Sequence, residues 1–269
     1  MKLAVTLVIK SFVILTLQNI GNAQEIEFLN PERKQPIEID ANGSIEWHQE
    51  AQAYIAEGNA KAKQGNVIVN ADRLSAFYKK LKKGGMRIWR VDANGNVRIV
   101  TPDKTAFGKK GVYNVDKGLF ILTGKPRLKT KTEHISARES LEFWEKKSIA
   151  IARGQALATK GDKKLQANVL TAYFEKTKNH NNEIVKVNAQ GNVIVSTPKE
   201  VIKGKRGIYY VKTGMIILKG GVKITRGPDQ LNGDKAEINL NSGVSRLLSG
   251  GGKKVRGLFG PKKLRPKLK

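Results

Sequence analysis

The stretch VDANGNVRI at residues 91–99 recurs 96 positions later as VNAQGNVIV at residues 187–195. In both stretches the residues two and four positions from the central glycine are apolar, and the residues between them are mostly polar. Apolar and polar side chains that alternate with period two are typical of a β-strand with one buried face. The same alternation surrounds Gly220, and no long segment after residue 25 has helical periodicity. These stretches predict an all-β protein.

The whole chain repeats on this spacing. Residues 39–134 and 135–230 carry the same pattern without a gap, and a partial third copy occupies residues 231–250. Glycines at matching places recur at spacings of 37, 29 and 30 residues, so the repeating unit is about 32 residues long and holds a pair of strands. Such a unit cannot bury its own apolar face and has to stack on its neighbours. The sequence therefore predicts an extended stack, whose function belongs to the stack rather than to one pocket.

Residues 1–23 have the features of a secretory signal peptide. A basic start at Lys2 precedes an apolar segment, and small residues precede a cleavage point near Ala23. An uncleaved membrane anchor is the alternative, but Lys10 interrupts the apolar segment, which is shorter than the ~20 residues that a spanning helix needs. Residues 24–36 are interpreted as an N-terminal extension of the exported chain.

The composition restricts the chemistry of the chain. It has no cysteine, which excludes disulfides and thiolate metal sites. Fifty Lys and Arg stand against 23 Asp and Glu, a net charge of +27. Residues 251–269 combine many of these cations with Gly and Pro, and we interpret them as a basic flexible tail that attracts polyanions. For the scattered lysines, the base composition of the genome and the solubility of the protein are the simpler explanation.

No pattern of an enzyme is present in the sequence. His48, His134 and His180 are far apart and unmatched between the copies, which disfavours a metal site or an acid–base pair. The segment 118–125 is similar to a phosphate-binding loop, but it has one residue too many between its glycines and is followed by Pro126 instead of Ser or Thr. We therefore expect no catalytic residues, no metal and no cofactor.

Nucleic acid is not an expected partner in spite of the charge. Aromatic pairs such as Phe77–Tyr78 and Tyr173–Phe174 could offer stacking platforms for bases. In an alternating strand, however, one member of each pair points into the core. The signal peptide also directs the chain away from nucleic acid.

Two motifs carry a family resemblance. One is GNVRI at residues 95–99, repeated as GNVIV at 191–195, and the other is NADRL at 70–74, repeated as NGDKA at 232–236. In this register the chain resembles the OstA-like family over residues 37–250. The resemblance implies a twisted β-jelly roll, in which two antiparallel sheets face each other in a V. The high net charge and the basic tail depart from the family pattern.

The resemblance also implies a function. The chain is expected to be a non-enzymatic periplasmic protein that holds the lipid A part of lipopolysaccharide in an apolar cleft. It would shuttle or bridge lipopolysaccharide from the inner to the outer membrane during outer-membrane assembly. Its protein partners would be an LptC-like protein of the inner membrane, an LptD-like protein of the outer membrane and further copies joined head to tail. All would pair with terminal strand edges.

The candidate site residues fall into two groups. Apolar residues of the alternating strands are expected to line the cleft: Val67, Val69, Val91, Val97, Ile99, Leu122, Leu128, Val187, Val193, Val195, Leu218, Val222 and Ile224. Cations of the tail are expected to contact anionic head groups: Lys253, Lys254, Arg256, Lys262 and Lys263. Burial of acyl chains contributes about 0.8 kcal/mol per CH₂, which is enough for substantial affinity.

Two other functions remain open from the residues alone. The stack could be a structural scaffold whose apolar face is ordinary core, or the chain could be a secreted polyanion-binding protein that acts through its tail. For a carrier, polar substitutions at Val97 or Val193 would reduce lipid binding and leave the fold intact. For a scaffold, the same substitutions would unfold the protein.

Overall fold

The computed structural model describes residues 37–82, 84–176, 182–239, 241–242, 244–250 and 254–260. The signal peptide and the N-terminal extension expected at residues 1–36 lie outside the described residues. The strands are β1 (Glu38–Asp40), β2 (Ser44–His48), β3 (Ala53–Gln64), β4 (Val67–Lys80), β5 (Met86–Val100), β6 (Lys104–Asn114), β7 (Leu119–Thr123), β8 (Arg127–Thr130), β9 (Glu133–Ser136), β10 (Ser140–Trp144), β11 (Ile149–Lys160), β12 (Lys163–Lys176), β13 (Asn182–Ser196), β14 (Val201–Tyr210), β15 (Met215–Arg226), β16 (Asp229–Asn239), β17 (Val244–Leu248) and β18 (Arg256–Leu258). A 3-10 turn at Glu145–Lys147 connects β10 to β11. Across the ranges given above, no helix has the length and apolar character to cross a membrane.

The strands form two facing antiparallel sheets. Sheet I contains β2, β7, β10 and β17, and sheet II contains β1, β8, β9 and β18. The long strands β3 to β6 and β11 to β16 belong to both sheets. For example, the end of β6 at Lys110–Asn114 pairs with β7 in sheet I, and its start at Lys104–Phe107 pairs with β8 in sheet II. The prediction of an all-β jelly roll with two facing sheets is confirmed.

Every second long strand, namely β3, β5, β11, β13 and β15, bends from one sheet to the other at the repeated glycine. In β5 the pairing with β6 shifts register between Asn94 and Val97, and the two residues between them, Gly95 and Asn96, have φ of +75° and +45°. Two consecutive residues in the left-handed region form a bulge that bends the strand, and glycine adopts this conformation at little cost. Gly191 repeats the bend in β13, with φ of +75°.

Two further glycines, at different places in the repeat, make room for a buried side chain of the neighbouring strand. At Gly108 an added Cβ would lie 2.8 Å from the side chain of Leu122, and at Gly207 it would lie 3.0 Å from Leu218. Both leucines are buried, with exposures of 0% and 1%. A glycine in these strands therefore makes room for a leucine of the next strand.

The two sequence repeats form one continuous stack. At their boundary β7 pairs with β10, so that Leu122 lies opposite Leu141, and β8 pairs with β9. One core cluster lies in each repeat, and Leu141 packs against both of them. The interior between the sheets therefore passes from the first repeat into the second without a break in the hydrogen-bond ladder.

Part of the segment expected to be a flexible tail is a strand. Residues Arg256–Leu258 form β18, which pairs with Gln230–Asn232 of β16 and extends sheet II. The edge of β16 offers backbone donors and acceptors, and pairing with the following chain satisfies them. Residues 251–253 and 261–269 lie outside the described residues.

Candidate functional site

The space between the two sheets is the candidate site, and we call it the cleft. The hairpin turns lie at the strand ends away from the glycine bends, for example at residues 101–103 in sheet II and 115–118 in sheet I. These two sets of turns form the rims of the cleft. Side chains that alternate toward the interior of both sheets make up its walls.

The structure places most of the predicted lining residues in packed core. Eight have exposures of 7% or less: Val67, Val69, Val97, Ile99, Leu122, Val193, Leu218 and Val222. The remaining five are half-buried: Val91, Leu128, Val187, Val195 and Ile224. Lipid contact stays a prediction for all of them, and only the half-buried group is accessible without movement of the core.

Equivalent positions in the two repeats differ in exposure on the wall formed by sheet II. In the first repeat Ala62, Val69 and Ile99 are buried, with exposures of 3–6%. Their equivalents 96 residues later, Ala158, Leu165 and Val195, are only partly buried against the second core cluster. The cleft is thus more open on this wall in the second repeat.

A cavity of about 280 Å³ opens at the N-terminal end of the stack. Ile37 and Ile39 line it from sheet II, while Ile45, Tyr54 and Leu74 line it from sheet I. Sequence analysis missed the isoleucines of the first two strands because β1 and β2 are short. The spacing Ile37-x-Ile39-x-Ala41 was the available signal.

An aromatic group borders this cavity on sheet I. The ring of Trp47 stacks on Tyr54 at a centroid distance of 5.9 Å, and its Nε1 donates a hydrogen bond of 2.8 Å to the hydroxyl of Tyr78. Tyr78 is 2% exposed, whereas Trp47 is 53% exposed. A buried tyrosine therefore holds an exposed indole at the open end of the cleft.

Polar residues lie at the sheet II rim of the second repeat. Glu200, only 6% exposed, accepts hydrogen bonds from Nε and a terminal nitrogen of Arg226 at 3.3 and 2.7 Å. Lys160 lies 3.0 Å from the carboxylate of Glu133. The rim is thus charged where the walls below it are apolar, which is the arrangement that an amphiphilic ligand needs.

The outer face of sheet I carries a separate polar group. The carboxylate of Glu142 accepts hydrogen bonds from Arg153 at 2.7 Å, Ser140 at 3.0 Å and the indole of Trp144 at 3.1 Å. Burial by itself would raise the pKa of Glu142, but the hydrogen bonds from Arg153, Trp144 and Ser140 together hold it below the ordinary value. This group stabilises the sheet from outside and does not face the cleft.

Comparison with known proteins decides the family. The model of the family described as LptA/(LptD N-terminal domain) LPS transport protein matches the chain twice, at residues 38–139 and 134–244. The chain belongs to this family. The expected OstA-like resemblance is therefore confirmed, and the family domain occurs twice in one continuous stack.

Other comparisons give weaker matches. No curated protein sequence matches the chain at the significance required. Among solved structures, the chain is similar to LptH, the LptA homologous periplasmic component of the conserved lipopolysaccharide transport device from Pseudomonas aeruginosa. The match has 20% identity and a TM-score of 0.40, and it covers 48% of this chain and 95% of that chain.

The predicted head-group contacts of this LptA-family chain fall largely outside the described residues. Lys253, Lys262 and Lys263 belong to that part of the chain. Lys254 and Arg256 are exposed, and Arg256 lies in β18 opposite Asn232, on the sheet rather than in a free tail. No cluster of three His, Cys, Asp or Glu able to hold a metal occurs among the described residues.

Proposed function

We propose that this chain is a non-enzymatic periplasmic carrier of lipopolysaccharide, which holds the acyl chains in the cleft between its sheets. One observation carries the proposal: two LptA-family domains share a single apolar interior that continues through Leu141 from one domain to the next. An acyl chain that enters such an interior gains about 0.8 kcal/mol per CH₂. The partly exposed walls of the second repeat and the cavity at the N-terminal end offer places of entry.

The continuous stack favours a bridge over a freely diffusing shuttle. With about 4.8 Å between neighbouring strands, the strands of sheet I from β2 to β17 together span roughly 60 Å. One chain would therefore supply a length of bridge that other arrangements build from separate domains. The covalent connection removes the entropic cost of joining the two domains.

Both ends of the stack carry features that suit pairing with partners. Ile45 and Trp47 of β2 are 56% and 53% exposed at one end, and Val244 of β17 and Leu258 of β18 are 53% and 66% exposed at the other. An open strand edge flanked by apolar side chains is suited to β-augmentation. We propose that these ends join an LptC-like protein, an LptD-like protein or another copy head to tail.

Site-specific photocrosslinking to lipopolysaccharide tests the carrier directly. A photoreactive residue is placed at Ile224 or Leu165, which face the cleft, and at the neighbouring Lys223 or Lys164, which are exposed on the outer face. We expect crosslinks to lipopolysaccharide at the two inner positions and only background labelling at the two outer positions. Equal labelling at inner and outer positions would contradict the carrier. If no position is labelled and the protein forms filaments as its concentration rises, the result would favour the structural scaffold.

A further inference from the structure

The glycine bends of neighbouring strands lie side by side on the outer, convex side of the stack, opposite the cleft. We call this line of bends the ridge. Where β4 meets β5 and where β12 meets β13, the ridge carries short polar side chains that bond to each other, Asp72 with Asn96 and Asn168 with Asn192. At these places the ridge has a structural role.

Two other places on the ridge carry basic side chains. Cluster 1 lies beside Gly124 and cluster 2 lies beside Gly220, and both glycines have positive φ. Cluster 1 contains Lys109, Lys110, Lys125 and Arg127, and cluster 2 contains Lys203, Lys205, Arg206, Lys219 and Lys223. All of these residues are exposed. Positions 109, 110 and 127 match positions 205, 206 and 223 across the 96-residue repeat, so both repeats place a cationic cluster at the same bend.

Cations of cluster 2 lie opposite each other without a counter-charge. The ladder between β14 and β15 places Lys203 opposite Lys223 and Arg206 opposite Lys219. Ile202, next to Lys203, is 1% exposed, so alternation directs the lysine away from the core. Like charges directly opposite on neighbouring strands are destabilising. No carboxylate of the described residues lies within 4 Å of a cation in either cluster, so a bound anion would relieve this repulsion.

The fold does not require the charges of cluster 2. In the first repeat Phe107 and Thr123 occupy the positions of two of its lysines, and the corresponding strands pair in the same way. Lys205 does have a packing role, because an added Cβ at Gly220 would lie 2.7 Å from the Cβ of Lys205. This contact uses the aliphatic stem of the lysine and not its ammonium group. The charges are therefore available for a partner.

The two clusters are far apart along the ridge. Six strand spacings of about 4.8 Å separate β6 from β14, or roughly 30 Å. A small anion can occupy only one cluster, whereas a linear polyanion can contact both. Its second contact is then intramolecular and adds avidity. The spacing and the exposure of the clusters favour a polymer with repeated negative charges.

We propose that the ridge binds the carboxylate-bearing glycan–peptide polymer of the cell wall, peptidoglycan, as a linear polyanion that spans both clusters. This inference rests on the proposed function, because a stack that extends between two membranes passes the polymer that lies between them. The ends of such a bridge would meet the membranes, and the ridge along its side would meet the cell wall. Since the ridge faces away from the cleft, this contact would anchor the stack and leave the cleft accessible.

Cosedimentation of the purified protein with insoluble peptidoglycan tests the proposal. The variant K203Q/R206Q/K219Q/K223Q removes four charges from cluster 2. The control K117Q/K131Q/K199Q/K212Q removes four charges from exposed residues in the hairpin turns, and all proteins keep the basic residues 251–269. We expect the cluster 2 variant to bind about tenfold more weakly and the control to change by less than about twofold. Binding by the wild type should fall steeply toward 1 M salt, where the Debye length is about 3 Å.

Two further probes test the chemistry of the partner. A soluble disaccharide–peptide fragment, too short to span the clusters, should bind at least tenfold more weakly than the polymer. Vesicles of phosphatidylglycerol test a bilayer as partner, and a cluster 2 variant that loses vesicle binding but keeps peptidoglycan binding would overturn the proposal. Equal losses for the cluster 2 variant and the control would also overturn it, because binding would then follow net charge alone.

Two measurements separate this proposal from the carrier and from loss of folding. The thermal midpoint of the cluster 2 variant should equal or exceed that of the wild type, because repulsion is removed. Crosslinking of lipopolysaccharide at Leu165 should be the same in the variant as in the wild type. If the wild type does not bind peptidoglycan but is labelled at Leu165, the ridge site is wrong and the carrier stands. If peptidoglycan binding depends on cluster 2 but Leu165 is not labelled, the carrier is wrong and the ridge site stands.

Discussion

The side-chain nitrogen Nδ2 of Asn96 lies 3.0 Å from both carboxylate oxygens of Asp72, and so it connects the bend of β5 to β4. The second repeat keeps the arrangement with a different acceptor, since Nδ2 of Asn192 donates to Oδ1 of Asn168 at 3.2 Å. A short polar side chain next to each of these two glycine bends thus fixes the place at which the strand leaves one sheet and joins the other. The bends set the alignment of the two sheets, and with it the cleft.

The Asp72 side chain makes the bend at Gly95 intolerant of substitution. A Cβ at Gly95 would lie 2.0 Å from Oδ2 of Asp72, and the φ of +75° is unfavourable for alanine in any case. We expect Gly95→Ala to destabilise the protein by about 3 kcal/mol, of which roughly 1–2 kcal/mol is the left-handed conformation. Urea denaturation measures the loss.

Gly161 provides the matched control for this substitution. Its φ is also positive, at +54°, but an added Cβ would have no atom within 4 Å. Gly161→Ala should therefore cost only about 1–2 kcal/mol. Equal losses for the two variants would mean that the contact with Asp72 has no part in the bend. If the double variant G95A/D72A regained stability, the result would show that the clash with Asp72 accounts for the additional loss in G95A.

The hydrogen bonds of Glu142 predict a dependence of stability on pH. Because they hold its pKa in the folded protein below the ordinary value, the unfolded chain takes up the proton first as the pH falls. The stabilisation is therefore fully present above about pH 4.3, the ordinary glutamate value, and is lost as the pH falls through the lower folded-state pKa. Glu142→Gln should be less stable than the wild type at pH 7 and should lose less stability between pH 5 and about pH 3.

Thermal unfolding at several pH values checks this expectation. Glu175→Gln is the control, because Glu175 is exposed near the end of β12. It should follow the wild type across the whole range. A Glu142→Gln variant with the same acid slope as the wild type would show that other carboxylates account for the loss.

Period-two alternation and the 96-residue spacing were enough to predict the strands and the stacking. They could not separate core from accessible wall, because both sets of residues alternate identically along a strand. Val97 and Val193 illustrate this limit, since both are 1% exposed and their polar substitution would disrupt packing in a carrier and in a scaffold alike. The half-buried Val195 and Ile224 are the positions that discriminate between the two functions.

The C-terminal end of the stack provides the last prediction. Leu258 of β18 is 66% exposed and Phe259 is 71% exposed, beside a strand edge that has a pairing partner on one side only among the described residues. If chains join head to tail at this edge, a lysine at Leu258 places a charge in the contact and weakens association. We expect Leu258→Lys to raise the concentration at which dimers form by about tenfold, measured by sedimentation equilibrium. Leu81→Lys is the control, because Leu81 is a 46% exposed leucine in the β4–β5 turn, outside the edge strands. A wild type that stays monomeric at all concentrations, or equal effects of the two variants, would remove the terminal edge as the site of self-association.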